Sequence, residues 1–339
     1  MVYNIDRVRK EFKGGYTYLN RNMIMDKHPD YIYNNLLETC SGDGLFQYPD
    51  MSTSYKALSE YLNVDEDCLL ITRGVEGAIK QVFETLNLQN CNVGLLTPTF
   101  AMYNVYAKVY GARVINVKGK SPNYNINIQD IIKILPDIKV LFLDNPKMHL
   151  PNCFTHEELH TILEHSRIHN VIVFLDEIYA GWEYKSFLPN LEKYNNLIIS
   201  SSFSKIGFPG IKTGWLATNN KLKTKLETTR LSYELDYFSC KALEFLILHQ
   251  KYFKCLKENI IDKKQQWLKE LSCNKIFTAY DSKGFNLRLY SDDSKKIKQA
   301  YNNLYAKKII TSIVDNNNLV FSVTQNDKVR DIILQEINL

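Results

Sequence analysis

Short apolar runs alternate with longer amphipathic spans from about residue 30 to residue 218. The runs begin near Leu69, Val93, Arg113, Val140, Val171, Leu197 and Trp215. A run such as Val171-Ile172-Val173-Phe174-Leu175 is continuous and partly β-branched, which predicts a parallel strand buried on both faces. Most of the intervening spans are long enough for crossover helices. The last two connections are too short for helices, which fits the mixed end of a large sheet. From 221 to 271 the spacing is helical. Beyond it, 276–281, 285–290 and 319–323 read as short strands, and 294–307 and 327–337 as helices. The predicted fold class is therefore α/β. A large domain over residues 30–235 carries a mostly parallel, mixed seven-stranded sheet flanked by helices. An N-terminal arm over 1–29 precedes it, and a smaller α/β C-terminal domain over 236–339 follows.

Composition narrows the function classes. The 339 residues are 45% apolar and 23% charged, as in ordinary globular proteins. The net charge of +5 is spread along the chain. The densest basic stretch, 251–269, also carries Glu258 and Asp262, so it reads as a solvated helix and no nucleic-acid partner is expected. The seven cysteines form no C-x-x-C pair, as expected of reduced thiols in a cytoplasmic protein. No signal pattern follows Met1 and no apolar run approaches membrane-spanning length, so neither export nor a membrane partner is expected.

The chemistry concentrates around Lys205. It follows Ser202-Phe203-Ser204 at the end of an apolar run and precedes a loop with Gly207, Pro209 and Gly210, then Lys212. A lysine so placed suits an internal aldimine: the amine condenses with an aldehyde cofactor while the hydroxyls and second cation hold its phosphate. The run resembles the lysine motif of pyridoxal-phosphate enzymes with the aspartate aminotransferase fold (fold type I, aminotransferase class I/II). On that resemblance the expected cofactor is pyridoxal 5'-phosphate, and the large domain is the one that binds it.

Further segments extend the resemblance over roughly 19–324. Asp176 ends the apolar run at 171–175, where open α/β sheets place ligand contacts. A carboxylate there can pair with a protonated pyridine nitrogen, and Tyr179 can donate to the ring 3-oxygen. The bland alternative is a strand-end aspartate capping a helix. Thr72-Arg73-Gly74-Val75-Glu76 leads from a strand into a helix, so the amides at Gly74, Val75 and Glu76 are free to face an anion. In the family this loop cradles the cofactor phosphate; otherwise it is a plain strand–helix turn. Phe100 falls where the family stacks an aromatic on the pyridine ring, or else it is a core phenylalanine. Tyr48 matches a family tyrosine that reaches the phosphate of the neighbouring subunit, which implies a homodimer. Thr72-Arg73-Gly74, the Pro98–Tyr103 segment and Leu19-Asn20-Arg21-Asn22 are most similar to the histidinol-phosphate aminotransferase group.

Departures from the family pattern bear on the substrate. In the family's Asn-Pro-x-Asn-Pro-Thr-Gly segment, Met148 occupies the position of the asparagine that bonds the 3-oxygen; Asn145 and Asn152 are the nearby substitutes. Val320 stands where most members carry the arginine that binds a substrate carboxylate, and 309–313 lacks the arginine that helps bind substrate phosphate. Valine cannot imitate an arginine fork, and one charge-assisted bond is worth about 1.5–3 kcal/mol. Arg21, Arg230 and Arg288 are the substitute candidates, each expected at the surface unless paired. Lys212 replaces a phosphate-binding arginine, keeping the charge and losing the bidentate fork.

His156-Glu157-Glu158-Leu159-His160 fits the H-E-x-x-H zinc pattern. Thr155 and Glu158 instead predict a helix-starting capping box, no third ligand follows, and no metal is expected. The expected activity is amino-group transfer between an amine donor and a small ketone or aldehyde, phosphorylated or not, in a biosynthetic pathway. The same cofactor supports the alternative of a decarboxylase or lyase on an amino acid or phospho-amino acid.

Overall fold

The structure is a computed structural model that describes residues 12–148 and 150–337. The first eleven positions of the expected N-terminal arm, 1–11, lie outside the described residues. The chain divides into two compact units. The smaller takes the described residues up to Lys27 together with Lys147–Asn152 and those from Lys254 onward; the larger takes His28–Pro146 and Cys153–Phe253.

The first strand, β1 (Thr17–Tyr18), belongs to the smaller unit. The next seven build the larger one: β2 (Leu69–Thr72), β3 (Asn92–Thr97), β4 (Arg113–Lys118), β5 (Val140–Asp144), β6 (Ile172–Asp176), β7 (Leu197–Ser202) and β8 (Gly214–Thr218). They form one sheet in the order β2-β8-β7-β6-β5-β3-β4. Every pairing is parallel except those of β8, which runs antiparallel to both β2 and β7. The mixed, mostly parallel seven-stranded sheet is thus the one the apolar pattern predicts. Of the two helix-free connections, only the one between β7 and β8 reverses the chain. The one before β7 holds a single short 3-10 stretch, Leu188–Lys193, and still delivers a parallel strand.

Strands β2, β5 and β8 are buried at every position, because helices cover the sheet and leave no solvated face. Helices Gly74–Thr85 and Ala101–Val109 press Val75, Ile79, Phe83 and Tyr103 onto Phe142 and Phe174 of the sheet. Phe83 stacks on Phe142 with ring centroids 5.0 Å apart. Burial of each such side chain contributes about 1.5–3 kcal/mol. This packing fixes the loops at the strand ends.

In the smaller unit, β9 (Thr278–Tyr280), β10 (Asn286–Tyr290), β12 (Ser312–Val314) and β13 (Asn318–Ser322) form an antiparallel sheet ordered β12-β13-β10-β9. Between them in sequence, β11 (Ile309–Ile310) pairs in parallel with β1. Leu287, Leu289, Leu319 and Phe321 join a core around Trp267, so alternation turns Arg288 and Val320 to the opposite face. Strands β1, β11 and β12 have two or three residues each, too few to display a periodicity in sequence. No described helix is long and apolar enough to cross a membrane, and all seven cysteines are free thiols.

Candidate active site

Four chain segments meet at one end of the strands of the larger unit's sheet. Strands β5 and β6 end in register, Asp144 beside Asp176, and Asp176 pairs with Ser200 of β7. The chain leaves β7 through a 3-10 turn, Phe203–Lys205. The helix Gly74–Thr85 starts two residues beyond β2. Because β8 is reversed, its first residue, Gly214, lies beside the last residues of both neighbours, Thr72 and Ser202.

Asp176 is 3% exposed. Its Oδ2 accepts from the Tyr103 hydroxyl at 2.8 Å, and its Oδ1 from the Ile178 N–H at 3.0 Å. Burial pushes its pKa up to about 7, and the Asp144 carboxylate pushes the same way. The Tyr103 and Ile178 hydrogen bonds and the charge of Lys205 oppose that rise. Lys205 is partly buried, and desolvation lowers its amine to about 8 against the opposing pull of Asp176. Lys212 adds a small lowering of its own. Both groups therefore titrate near neutrality, unusual for either type and characteristic of sites that move protons.

Gly74 has φ +64°, a left-handed conformation that opens the helix, and no side chain caps it. A β-carbon on Gly214 would lie 2.6 Å from the Gly74 Cα, so two glycines in contact bring the turn and β8 together. The amides of Gly74, Val75 and Glu76 occupy the first turn, where the helix supplies no acceptor. Ser202 Oγ accepts from the Ser204 N–H at 3.1 Å and lies 3.0 Å from the Thr213 carbonyl and 2.9 Å from Ser204 Oγ. The two serines thus brace the loop beside the helix start. Lys212 is exposed, in left-handed conformation at φ +53°, with its Nζ 3.7 Å from Glu76. A cavity of about 250 Å³ adjoins this cradle, lined in part by Arg73, Glu76, Lys212, Arg230 and Glu234.

The other expected residues are distributed as follows. Phe100 precedes the helix Ala101–Val109 and meets Tyr103 edge-on at 6.0 Å. Tyr179 is buried just beyond Asp176. Tyr48 is exposed and stacks at 4.5 Å on Tyr233 of its own chain. Arg230 Nε lies 3.0 Å from the buried Glu234 carboxylate. Arg21 sits over the rings of Phe12 and Tyr18 in the smaller unit. Arg288 corrects the expectation of a surface residue: it is 1% exposed, donates to Asn318 Oδ1 at 2.7 Å and lies 4.2 Å over the Tyr280 ring. It is also the cross-strand partner of Val320. Desolvation draws its guanidinium down to about 10.

Asn145 is taken up locally: its side chain bonds the Phe154 backbone in both directions, at 2.8 and 3.1 Å. Met148 belongs to the smaller unit, where Asn22 donates to its sulfur at 2.8 Å. The H-E-x-x-H residues are engaged elsewhere, His156 with the Lys185 carbonyl and His160 with the Tyr194 hydroxyl. The capping box of Thr155 and Glu158 is present. Among the described residues no group of three or more His, Cys, Asp or Glu side chains could hold a metal.

Two residues of the site escaped sequence reasoning. Tyr103 lies one helical turn beyond Phe100, a spacing that puts both on one face and could have flagged it. Asp144 ends β5 as Asp176 ends β6, so parallel register implied the pair. The donor set suits a cofactor with an aldehyde, a cationic ring nitrogen and a phosphate. A low-pKa amine, a buried carboxyl seeking a cation, and a glycine-lined helix start beside Lys212 answer the three in turn.

Comparison with known proteins agrees. Residues 14–317 match the family described as aminotransferase class I and II. The histidinol-phosphate aminotransferase of Clostridium novyi (strain NT) is 24% identical over 272 residues, 79% of this chain and 75% of that protein. That of Thermoanaerobacter pseudethanolicus is 24% identical over 298 residues, 84% and 83%. Among solved structures, the Sinorhizobium meliloti histidinol-phosphate aminotransferase in complex with pyridoxal-5'-phosphate superposes with a TM-score of 0.84. It is 15% identical and covers 95% of this chain and 90% of that one. The L-threonine-O-3-phosphate decarboxylase of Porphyromonas gingivalis gives a TM-score of 0.79 at 14% identity, covering 95% and 98%. At such identities the structural likeness shows the fold.

Proposed function

The chain belongs to the aminotransferase class I and II family and is a pyridoxal 5'-phosphate-dependent aminotransferase; from that premise we propose that Lys205 is its covalent and proton-moving residue. The observation that carries this reading is the amine lowered to about 8 in electrostatic reach of the buried Asp176. Bound pyridoxal 5'-phosphate supplies an aldehyde that captures amines and a ring that accepts negative charge from the substrate α-carbon.

The chain's own groups do the rest. Lys205 Nζ takes the proton from the α-carbon and returns it, which a pKa near working pH favours in both directions. Asp176 keeps a proton on the ring nitrogen. A buried carboxyl beside an apposed cation ionises again, so the rise to about 7 reverses when that partner is present. Tyr103 holds Asp176 in orientation. When the cofactor is bound, Phe100 would stack on its ring and Tyr179 would donate to its 3-oxygen. The amides of Gly74, Val75 and Glu76, with Lys212 and the serines at 202 and 204, hold the phosphate.

The protein is read as a cytoplasmic homodimer in which Tyr48 serves the partner's phosphate. Support comes from the exposed apolar side chains Leu45, Phe46, Tyr48, Leu231 and Phe238 of the larger unit. The substrates are an amine donor and a small ketone or aldehyde of a biosynthetic pathway. The relatives' names speak for a phosphorylated one, while Val320 and 309–313 lack the family's anion-binding arginines. None of the three candidate arginines is singled out as a replacement: Arg230 is matched with Glu234, Arg21 rests on two rings, and Arg288 is held by Asn318 and the Tyr280 ring.

Borohydride reduction of the cofactor-loaded protein, followed by peptide mapping, tests the central assignment. The added mass is expected on Lys205 and absent in Lys205→Ala. Labelling of another lysine would end the reading. A single turnover with glutamate is expected to convert the cofactor to its pyridoxamine form. Release of carbon dioxide with the cofactor unchanged would mean decarboxylation.

A further inference from the structure

One loop carries both Lys205 and Lys212, and a histidine outside every motif holds it. His28 is 6% exposed. Its Nε2 lies 3.1 Å from the Gly207 carbonyl oxygen and its Nδ1 3.1 Å from the Tyr252 hydroxyl. A carbonyl only accepts, so Nε2 carries the hydrogen and Nδ1 accepts from Tyr252. The rings of Tyr33, Phe208, Tyr252 and Phe253 stand edge-on around the imidazole, with centroids 5.1, 5.7 or 5.8 Å away. The His28 N–H donates to the Tyr33 hydroxyl at 3.0 Å, which fixes the backbone as well.

The loop is shaped to this anchor. A β-carbon on Gly207 would come 2.5 Å from Phe253 and 3.4 Å from His28 Nε2. Glycine is thus what lets the loop backbone reach the imidazole. Further along, Ser239 Oγ lies 3.0 Å from the Ile211 carbonyl oxygen and 2.8 Å from Asp236 Oδ2, sharing its one hydrogen between them. Between the two lysines the backbone is therefore gripped at 207 and at 211.

We propose that His28 is a positioning residue for the Lys205 amine: its Nε2–H fixes the Gly207 carbonyl two residues beyond the lysine, and so the direction in which Nζ is presented. This rests on the reading of Lys205 as the covalent residue. A histidine that merely completes a core would fill space, and a ring of like size would replace it.

The test uses His28→Phe, which keeps a ring in the aromatic box and removes both hydrogen bonds, and His28→Gln, which restores an amide donor. In the cofactor-free chain, hydrogen exchange across 206–211 is expected to quicken about tenfold in H28F, the equivalent of one lost hydrogen bond, and to return toward wild type in H28Q. In the loaded enzyme, H28F is expected to shift the pH midpoint of the lysine-bound cofactor's visible absorbance and lower kcat about tenfold with KM nearly unchanged; H28Q recovers both. Tyr252→Phe removes only the acceptor-side bond and is expected to lie between wild type and H28F. It serves as the readout should H28F fold poorly. Wild-type exchange and midpoint in H28F overturn the proposal. So does H28F with a general loss of stability that H28Q does not repair. Borohydride labelling of a lysine other than Lys205 would instead strike the underlying reading, and the exchange measurement would still report whether the anchor exists.

Discussion

A carboxyl and an amine that both titrate near neutrality give the site its chemistry, and each is strained in the direction burial dictates. Asp176 has its folded pKa raised to about 7 from 3.8, so in the cofactor-free protein its stabilising contribution is full below about pH 4 and is lost as pH rises through 7. Asp176→Asn should accordingly raise the melting temperature of cofactor-free protein by several degrees at pH 8 and hardly at all at pH 4, while weakening cofactor retention. Equal stabilisation at both pH values would show that desolvation is not the cause. Tyr103→Phe removes the hydroxyl on Asp176 Oδ2 and leaves a ring in the same core. It should reduce kcat about tenfold, one hydrogen bond to a charged group, with a melting point within a few degrees of wild type. Steady-state kinetics beside calorimetry decide it. Lys205, Asp176 and the Gly74 turn were legible in sequence because each sits at the end of an apolar run. Tyr103 left only its spacing from Phe100 as a signal and His28 none, since their partners, Asp176 and Gly207, lie far along the chain.

At the scale of elements, the cradle depends on a strand and a helix approaching with nothing between them. Gly214 leaves no room for a methyl group, because the atoms a new β-carbon would meet are backbone, which cannot swing aside; Gly74 has the room but needs glycine for its φ of +64°. Gly214→Ala should separate β8 from the helix start and weaken cofactor binding at least about tenfold, more than Lys212→Ala does. Titration of cofactor-free variants, read by absorbance, would reveal the opposite order if charge outweighs shape. The long strands and helices announced themselves through periodicity. Strands β1, β11 and β12 did not, because pairs and triplets of residues carry no period and form only where neighbouring chain accepts their hydrogen bonds. The direction of β7 was equally hidden: chain length after β6 permits either sense, and packing chose parallel.

For the molecule as a whole, Tyr48 is the informative residue. In a single chain it lies on Tyr233, exposed, among other uncovered apolar side chains. If a second copy covers that surface, Phe46→Asp should yield a monomer by light scattering and lose most activity, whereas the smaller unit's surface should tolerate a like change. A dimer that survives the substitution would refute this interface. Composition set the class of protein correctly but carried no substrate, because specificity lies in replaced residues such as Val320, and a replacement records only what is no longer there. The buried Arg288 opposite it emerged from strand register, which no linear reading of residues 288 and 320 provides.

The reversal of β8 makes the link from Ser202 to Gly214 the shortest in the large sheet, and that link holds both lysines. Gly210, at its tip, is exposed. A protease nick there would leave all seven strands and their circular dichroism in place, yet put the amine and the cation on separate fragments, held by strand pairing and the anchors at 207 and 211. Such a cleaved chain would look folded by circular dichroism and yet hold the cofactor more weakly than the intact one.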